Sequence, residues 1–137
     1  MGQRVISLVI DTSALIAMLR DEPSADALRH AVAEDGVRLI STVSVLEATC
    51  VMTSRGGPAA LMELTMFLAE FRFEQVAFMG EQLAIAQKAW LRYGKGRHRA
   101  GLNFGDCASY ALAEATGEAL LFVGEDFPRT GIRTVMG

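Results

Sequence analysis

Four acidic side chains stand at positions where they could hold a metal ion: Asp11, Glu47, Asp106 and Asp126. The first and the last follow apolar runs typical of buried strands, and the other two come early in stretches with helical periodicity. Crowded carboxylates resist ionisation unless a cation lies among them. Carboxylate oxygens without histidine or cysteine are hard ligands that suit Mg²⁺ or Mn²⁺ better than zinc. The four acids are therefore candidate ligands of such an ion.

Each acid also has a purely structural interpretation. Asp11 precedes a helix-like stretch and could simply cap its first turn. Ser44 and Asn103 each stand three residues before one of the other acids, which is the spacing of a capping box. Asp126 could be an ordinary turn residue. Residue types alone leave both interpretations open.

The elements that would position these acids alternate between strand and helix. The predicted strands are the run ending at Ile10, Val37–Ile40, Phe73–Phe78, Ala119–Val123 and Ile132–Val135. The predicted helices are Ala14–Leu19, Glu22–Ala33, Thr42–Ser54, Ala59–Phe71, Gln82–Tyr93 and Asn103–Thr116. This alternation predicts an α/β fold, with a mostly parallel central sheet and helices on both faces. Since the carboxyl ends of parallel strands share one edge, the acids should face a common crevice.

Length and composition narrow the class of protein. The chain has 137 residues, so one domain over residues 1–137 is expected. Thirteen basic and sixteen acidic residues give a net charge of −3, which argues against a generally basic nucleic-acid coat. The apolar runs are too short for a membrane span, and no signal-peptide pattern opens the chain. A cytoplasmic protein without membrane contact is expected.

Apolar periodicity predicts which side chains fill the core. Cys50 and Cys107 lack the spacing of a zinc site or a disulfide framework, and both are interpreted as small core residues. The helical stripes predict further inward-facing side chains. Among them are Leu46, Leu61, Met66, Leu83 and Trp90.

Four segments carry a resemblance to a known family. They are IDTSALIAML at Ile10–Leu19, STVSVLEA at Ser41–Ala48, LNFGDCASYALA at Leu102–Ala113 and LLFVGEDFPRTGI at Leu120–Ile132. In this order they resemble the PIN-domain ribonucleases, and more closely the toxin component of bacterial VapBC toxin–antitoxin pairs. The resemblance implies a three-layer PIN-like fold. It also implies a Mg²⁺-dependent endoribonuclease, with Mn²⁺ as the alternative ion, that hydrolyses RNA phosphodiester bonds.

The family pattern, carried onto this sequence, gives the acids distinct roles. It implies that Asp11 and Asp106 hold the principal ion and that Glu47 orients or deprotonates the attacking water. The neighbouring hydroxyl residue Thr12 or Ser13 would support the ion through its side chain or backbone. An ion in such a site supplies a hydroxide and neutralises phosphoryl charge, so no serine or histidine nucleophile is required.

The fourth acid is where the chain departs from the family pattern. Many PIN domains have Thr-x-Asp before the last acidic site, whereas this chain has Phe122–Gly124 there. Close relatives among the toxins often have an acid at the position of Gly131. Asp126 is accordingly expected to complete a second, weaker metal site, with Glu125 as the alternative.

A glycine-rich basic loop at residues 94–99 is the second candidate site. Its side chains Lys95, Arg97, His98 and Arg99 could bind an RNA backbone, since cations bind phosphate. The adjacent Tyr93 could stack on an unpaired base. A solvated connection between two helices explains the same residues.

Partners follow from the resemblance. It implies a cognate VapB-type antitoxin protein, an RNA substrate and a homodimer. Two rival interpretations remain: a receiver-type phosphoacceptor domain, and a catalytically silent PIN-like module that only binds a partner. The first would need a lysine after a late strand, and the only lysines, Lys88 and Lys95, are not so placed.

Overall fold

A parallel five-stranded sheet forms the middle of the molecule. The computed structural model describes residues 6–33 and 36–135. The strands are β1 Ile6–Ile10, β2 Gly36–Ser41, β3 Phe73–Val76, β4 Ala119–Leu121 and β5 Thr134–Val135. They lie in the order β3-β2-β1-β4-β5, and every neighbouring pair is parallel. The parallel sheet expected from the sequence is confirmed.

Helices cover both faces of this sheet. They are α1 Thr12–Leu19, α2 Ala25–Ala33, α3 Thr42–Glu70, α4 Gly80–Tyr93 and α5 Phe104–Thr116, and a 3-10 turn follows at Phe127–Thr130. Leu8 and Ile10 of β1 pack in one core cluster with residues of α1, α2 and α3. Val9, between them, packs in a second cluster with residues of α4 and α5. Because successive strand side chains point to opposite faces, β1 supplies both clusters, and the expected three-layer architecture is confirmed.

Helix α3 contains a sharp kink where the sequence predicts two separate helices. Gly57 has φ 64° and ψ −161°, a conformation that is not helical and that glycine adopts without steric cost. Pro58 then opens the second half, since its fixed φ suits the first turn of a helix.

Nowhere in the described ranges does a helix combine the length and the apolar character needed to cross a membrane.

Several side chains predicted to be buried lie on the surface instead. Those with high exposure are Leu46, Leu61, Met66, Leu83, Trp90 and Cys50. On α4 the buried stripe is Gln82, Ala86, Ala89 and Tyr93. Leu83 and Trp90, which the sequence predicts to face inward on this helix, lie outside that stripe. Periodicity identifies apolar stripes, but it does not reveal which stripe meets the sheet.

The strand order places a crevice at the carboxyl end of β1. From β1 the chain continues to β2 on one side, and it returns later to β4 on the other. Ligands bind in open parallel sheets at such a reversal of strand order. β4 ends at Leu121, two residues before the predicted Val123, and Ile10 pairs with Leu121 at this edge. Asp11 therefore enters the crevice directly from the sheet.

Candidate active site

Asp11 is the most firmly held acid at this edge. Its backbone N–H donates to the Leu121 carbonyl at 2.9 Å, which continues the sheet by one residue. One carboxylate oxygen, Oδ2, accepts from the Ser13 backbone N–H at 3.0 Å and from the Ser13 hydroxyl at 2.6 Å. Asp11 is thus the N-cap of α1 and is only 3% exposed. The capping interpretation is confirmed, and it fixes the carboxylate in the crevice.

Ser109 binds the other oxygen of the same carboxylate. Its hydroxyl donates to Asp11 Oδ1 at 2.5 Å, and it lies 3.2 Å from the hydroxyl of Ser44. Sequence reasoning missed Ser109 and gave Ser44 a different role, as the cap of a helix. The available signal was spacing: Ser109 follows Asp106 by three residues, so the two share one face of α5.

Asp106 lies in the first turn of α5 and forms a capping box with Asn103. The Asn103 side chain accepts from the Asp106 N–H at 2.8 Å, and the Asp106 carboxylate accepts from the Asn103 N–H at 3.0 Å. The pKa of the Asp106 carboxyl is raised from 3.8 to about 7, chiefly by burial, while the Asn103 N–H opposes the shift. The negative charges of Asp11, Asp126 and Glu47 add to the increase. The charges of acids from three other segments therefore reach Asp106.

Glu47 reaches this site from α3, against the N-terminal turn of α5. A Cβ built on Gly105 would overlap the Glu47 carboxylate, so the missing side chain of Gly105 leaves the space that the carboxylate fills. Gly105 is a second residue that sequence reasoning missed. A glycine inside the first turn of a helix, next to a candidate ligand, was the available signal. The predicted Ser44–Glu47 capping box is wrong, because Ser41 caps α3 by accepting from the Val43 N–H.

Asp126 approaches from the segment between β4 and the 3-10 turn. It is exposed, and its side chain makes no capping hydrogen bond. Its charge raises the pKa of Asp106, whereas Glu125 is not among the charges that do so. The Val123 N–H donates to the Ser13 hydroxyl at 2.9 Å and ties this segment to Asp11. The contribution to the pKa of Asp106 favours Asp126 over Glu125 as the candidate fourth acid.

The basic loop is built on its own backbone contacts. The Lys95 N–H donates to the Leu102 carbonyl at 2.8 Å, which holds the loop beside the start of α5. His98 accepts from the Ala100 N–H through Nδ1 at 2.9 Å, and its ring meets the Tyr93 ring edge-on at 5.1 Å between centroids. This histidine therefore shapes the loop.

The charged side chains of the loop face outward. Lys95, Arg97 and Arg99 are exposed. Arg129 donates to the Arg99 carbonyl at 2.9 Å, and Arg129 follows Asp126 by three residues. The loop is thereby attached to the segment that carries the fourth acid.

Comparison with known proteins identifies the family. The family model described as PIN domain matches residues 8–133. Ribonuclease VapC30 of Mycobacterium tuberculosis is 51% identical over 128 residues, covering 93% of this chain and 98% of that protein. Ribonuclease VapC of Mycolicibacterium smegmatis is 52% identical over 128 residues, with coverage of 93% and 99%. The chain belongs to the VapC ribonucleases of the PIN-domain family.

Solved structures of other VapC proteins share this PIN fold. Mycobacterium tuberculosis VapC20, described as a Sarcin-Ricin loop cleaving toxin, superposes with a TM-score of 0.74 at 16% identity, covering 91% of this chain and 95% of its own. VapBC2 from Rickettsia felis, bound to a DNA fragment from its promoter, gives a TM-score of 0.75 at 14% identity, covering 95% and 98%. Such distant likeness shows the fold alone. The family assignment excludes the receiver-type phosphoacceptor interpretation.

The acids of this VapC protein fit a hard divalent cation by their chemistry. Among the residues that the structure describes, no three histidine, cysteine, aspartate or glutamate side chains are grouped closely enough to hold one ion. The charges of three other carboxylates nevertheless raise the pKa of Asp106. A cation at this point would offset their mutual repulsion and the cost of burial. The donor set consists of carboxylates and hydroxyls, which suits Mg²⁺ or Mn²⁺.

Proposed function

We propose that this VapC protein is a Mg²⁺-dependent endoribonuclease, with Mn²⁺ as an alternative ion, and that it acts as the toxin of a type II toxin–antitoxin pair. One observation carries the proposal. The negative charges of Asp11, Glu47 and Asp126, each on a different segment, raise the pKa of Asp106 beside the switch point of a parallel sheet. The relatives that are about half identical to this chain are named ribonucleases, which supports RNA as the substrate.

The side chains divide the work as follows. Asp11, held by three hydrogen bonds, and Asp106, in the first turn of α5, would hold the principal ion. When bound, such an ion neutralises phosphoryl charge and lowers the pKa of water. Glu47, lying against Gly105, would orient or deprotonate the attacking water. Asp126 is exposed beside them and would complete a second, weaker site.

The substrate would approach along the basic loop. Exposed Lys95, Arg97 and Arg99 supply positive charge beside an acidic crevice that would otherwise repel RNA. Phe104 is 81% exposed and precedes Asp106 by two residues. Aromatic rings stack on unpaired bases of any identity, so Phe104 would bind an unpaired base of the substrate.

Partner proteins complete the proposal. The solved relatives include VapBC complexes, which supports a VapB-type antitoxin as the cognate partner. A homodimer is supported by the apolar side chains left exposed on α4, because unpaired apolar surface of this kind marks protein–protein contacts. The large apolar residues exposed on that helix are Leu83, Trp90 and Leu91.

The deciding experiment is a nuclease assay on the purified full chain. We expect cleavage of single-stranded RNA with Mg²⁺ or Mn²⁺, none with a chelator, and loss of cleavage in Asp11→Asn. Asp26→Asn is the matched control, since the Asp26 side chain is 99% exposed on α2, a helix that carries none of the four candidate acids. Circular dichroism would verify that both variants fold.

Two results would contradict the proposal. An Asp11→Asn variant that cuts RNA at the wild-type rate would remove the metal mechanism. A wild-type chain that binds RNA or antitoxin but cuts no RNA with either ion would favour the silent binding module.

A further inference from the structure

Two buried serines connect the Asp11 carboxylate to helices α3 and α5. Ser44 on α3 and Ser109 on α5 are both 0% exposed. Ser109 Oγ lies 2.5 Å from Asp11 Oδ1, and Ser44 Oγ lies 3.2 Å from Ser109 Oγ. We call Ser44 and Ser109 the hydroxyl pair. It spans the contact between the two helices and ends on a candidate metal ligand.

The direction of these hydrogen bonds follows from the carboxylate. An ionised aspartate only accepts, so the Ser109 hydroxyl must donate to Asp11. Ser109 has then used its single proton, and Ser44 must donate to Ser109. The Ser44 carbonyl in turn accepts from the Thr12 hydroxyl at 3.4 Å, which brings α1 into the same network. The hydroxyl pair is therefore a one-way chain that terminates on Asp11 Oδ1.

The hydrogen bonds to the Asp11 carboxylate leave one of its acceptor sites free. A carboxylate offers about four lone-pair sites, two on each oxygen. Oδ2 accepts two bonds, from the Ser13 N–H and the Ser13 hydroxyl, and Oδ1 accepts one, from Ser109. The remaining site is on Oδ1. Donors on both oxygens also prevent the carboxylate from rotating.

We propose that Ser109 is a positioning residue, oriented by Ser44, that fixes the Asp11 carboxylate in the orientation in which it would hold the divalent ion. The inference rests on the proposed metal-dependent function. Loss of a partner that holds a metal ligand in its orientation lowers the affinity for the metal. If the two serines only filled space, replacing them by alanine would leave Mg²⁺ binding unchanged, since alanine carries no group that needs a hydrogen bond.

The test measures Mg²⁺ binding to the metal-free full chain by titration calorimetry, alongside RNA cleavage. Ser109→Ala should weaken Mg²⁺ binding by roughly 10–100-fold, the range for such supporting partners. Ser109→Cys keeps the size of the side chain with a poorer donor and should fall between alanine and wild type. Ser44→Ala should weaken binding less than Ser109→Ala. The double alanine variant should match Ser109→Ala, because Ser44 acts only through Ser109.

Thr116→Ala is the matched control. It removes a hydroxyl from the same helix, where Thr116 donates to the Leu112 carbonyl at 2.8 Å on the exposed end of α5. Its Mg²⁺ affinity should equal that of the wild type. Thermal melting of every metal-free variant would separate lost affinity from lost structure. If Ser109→Ala fails to fold, Ser109→Cys and Ser44→Ala decide the question.

The outcomes separate this inference from the proposed function. If Asp11→Asn loses Mg²⁺ binding while the folded serine variants keep wild-type affinity, the positioning role is wrong and the metal site stands. If Asp11→Asn binds Mg²⁺ as tightly as the wild type, the proposed function fails first. If the two single alanine effects simply add in the double variant, Ser44 does not act through Ser109.

Discussion

The carboxylate of Glu47 occupies the space that a side chain on Gly105 would fill. Two residues that are 58 positions apart in the chain thus share one volume at the start of α5. Glu47 comes from the helix after β2 and Gly105 from the helix before β4. Glycine at position 105 is required by this contact and not by backbone strain, because it is absent from the glycines with positive φ.

Adding a single methyl group at this point should displace Glu47. Gly105→Ala suits a helix, so the metal-free chain should keep its fold, while RNA cleavage falls by roughly 10²-fold, as misplacing a reacting group by about 1 Å can cause. Gly80→Ala is the matched control, because nothing lies within 4 Å of a Cβ built there. Single-turnover cleavage rates would measure the difference. Equal rates for the two variants would contradict the assigned role of Glu47.

Binding of Mg²⁺ should release a proton near neutral pH. The pKa of Asp106 in the metal-free chain is raised to about 7, mainly by burial, so below pH 7 the ion must displace a proton from it. Affinity should therefore fall as the pH drops below 7 and level off above it. Calorimetry in buffers with different ionisation enthalpies measures the proton release. No release at pH 6 would show that Asp106 is not a ligand.

The same carboxyl should make the metal-free fold less stable as the pH rises. Its pKa is about 7 in the folded chain and near 3.8 when unfolded, so the folded state binds the proton more tightly. The stabilisation from protonated Asp106 is complete below pH 3.8 and is lost as the pH rises through 7. Denaturation of the wild type and Asp106→Asn at pH 5 and pH 8 tests this. Relative to the wild type, the free energy of unfolding of the variant should be higher at pH 8 than at pH 5. An equal difference at both pH values would contradict the raised pKa of Asp106.

Reversing the charge of the basic loop should weaken RNA binding and its dependence on salt. Each lost phosphate contact lowers the slope of log affinity against log salt by about 0.7 for a single strand. Lys95→Glu, Arg97→Glu and Arg99→Glu together should remove roughly 2 from this slope. Fluorescence anisotropy with catalytically inactive protein would measure it. Arg55→Glu on α3 serves as the control. An unchanged slope in the loop variant would show that the loop does not bind RNA and is only a solvated connection between two helices.

The two cysteines should differ sharply toward thiol reagents. Cys50 is exposed and Cys107 is buried, and burial together with the Asp106 charge raises the pKa of the Cys107 thiol to about 11. Since the thiolate is the reactive form, Cys107 should stay unreactive at pH 8. A colorimetric titration should show one fast thiol in the native chain and two after denaturation. Cys50→Ser should abolish the fast reaction, and a fast thiol that survives in this variant would contradict the burial of Cys107.

Local sequence patterns determined the layers of the fold and where the candidate acids stand in its elements. Alternating strand and helix signals predict the parallel sheet, because periodicity and turn residues act over a few neighbouring positions. The same logic places Asp11 at a strand end, since an apolar run that stops at a carboxylate leaves the sheet there. The capping box of Asn103 and Asp106 is likewise visible, because its two partners are three residues apart.

Only the tertiary structure decided which distant groups meet. Ser109 is 98 positions from Asp11 and 65 positions from Ser44 in the sequence. No local stretch of sequence therefore contains either contact. The outward faces of the helices were decided in the same way, because an apolar stripe becomes buried only when another element covers it. Trp90 lies outside for this reason while Ala89 packs inside. Local sequence specifies each helix and strand, whereas close packing between these elements selects the partners of each side chain.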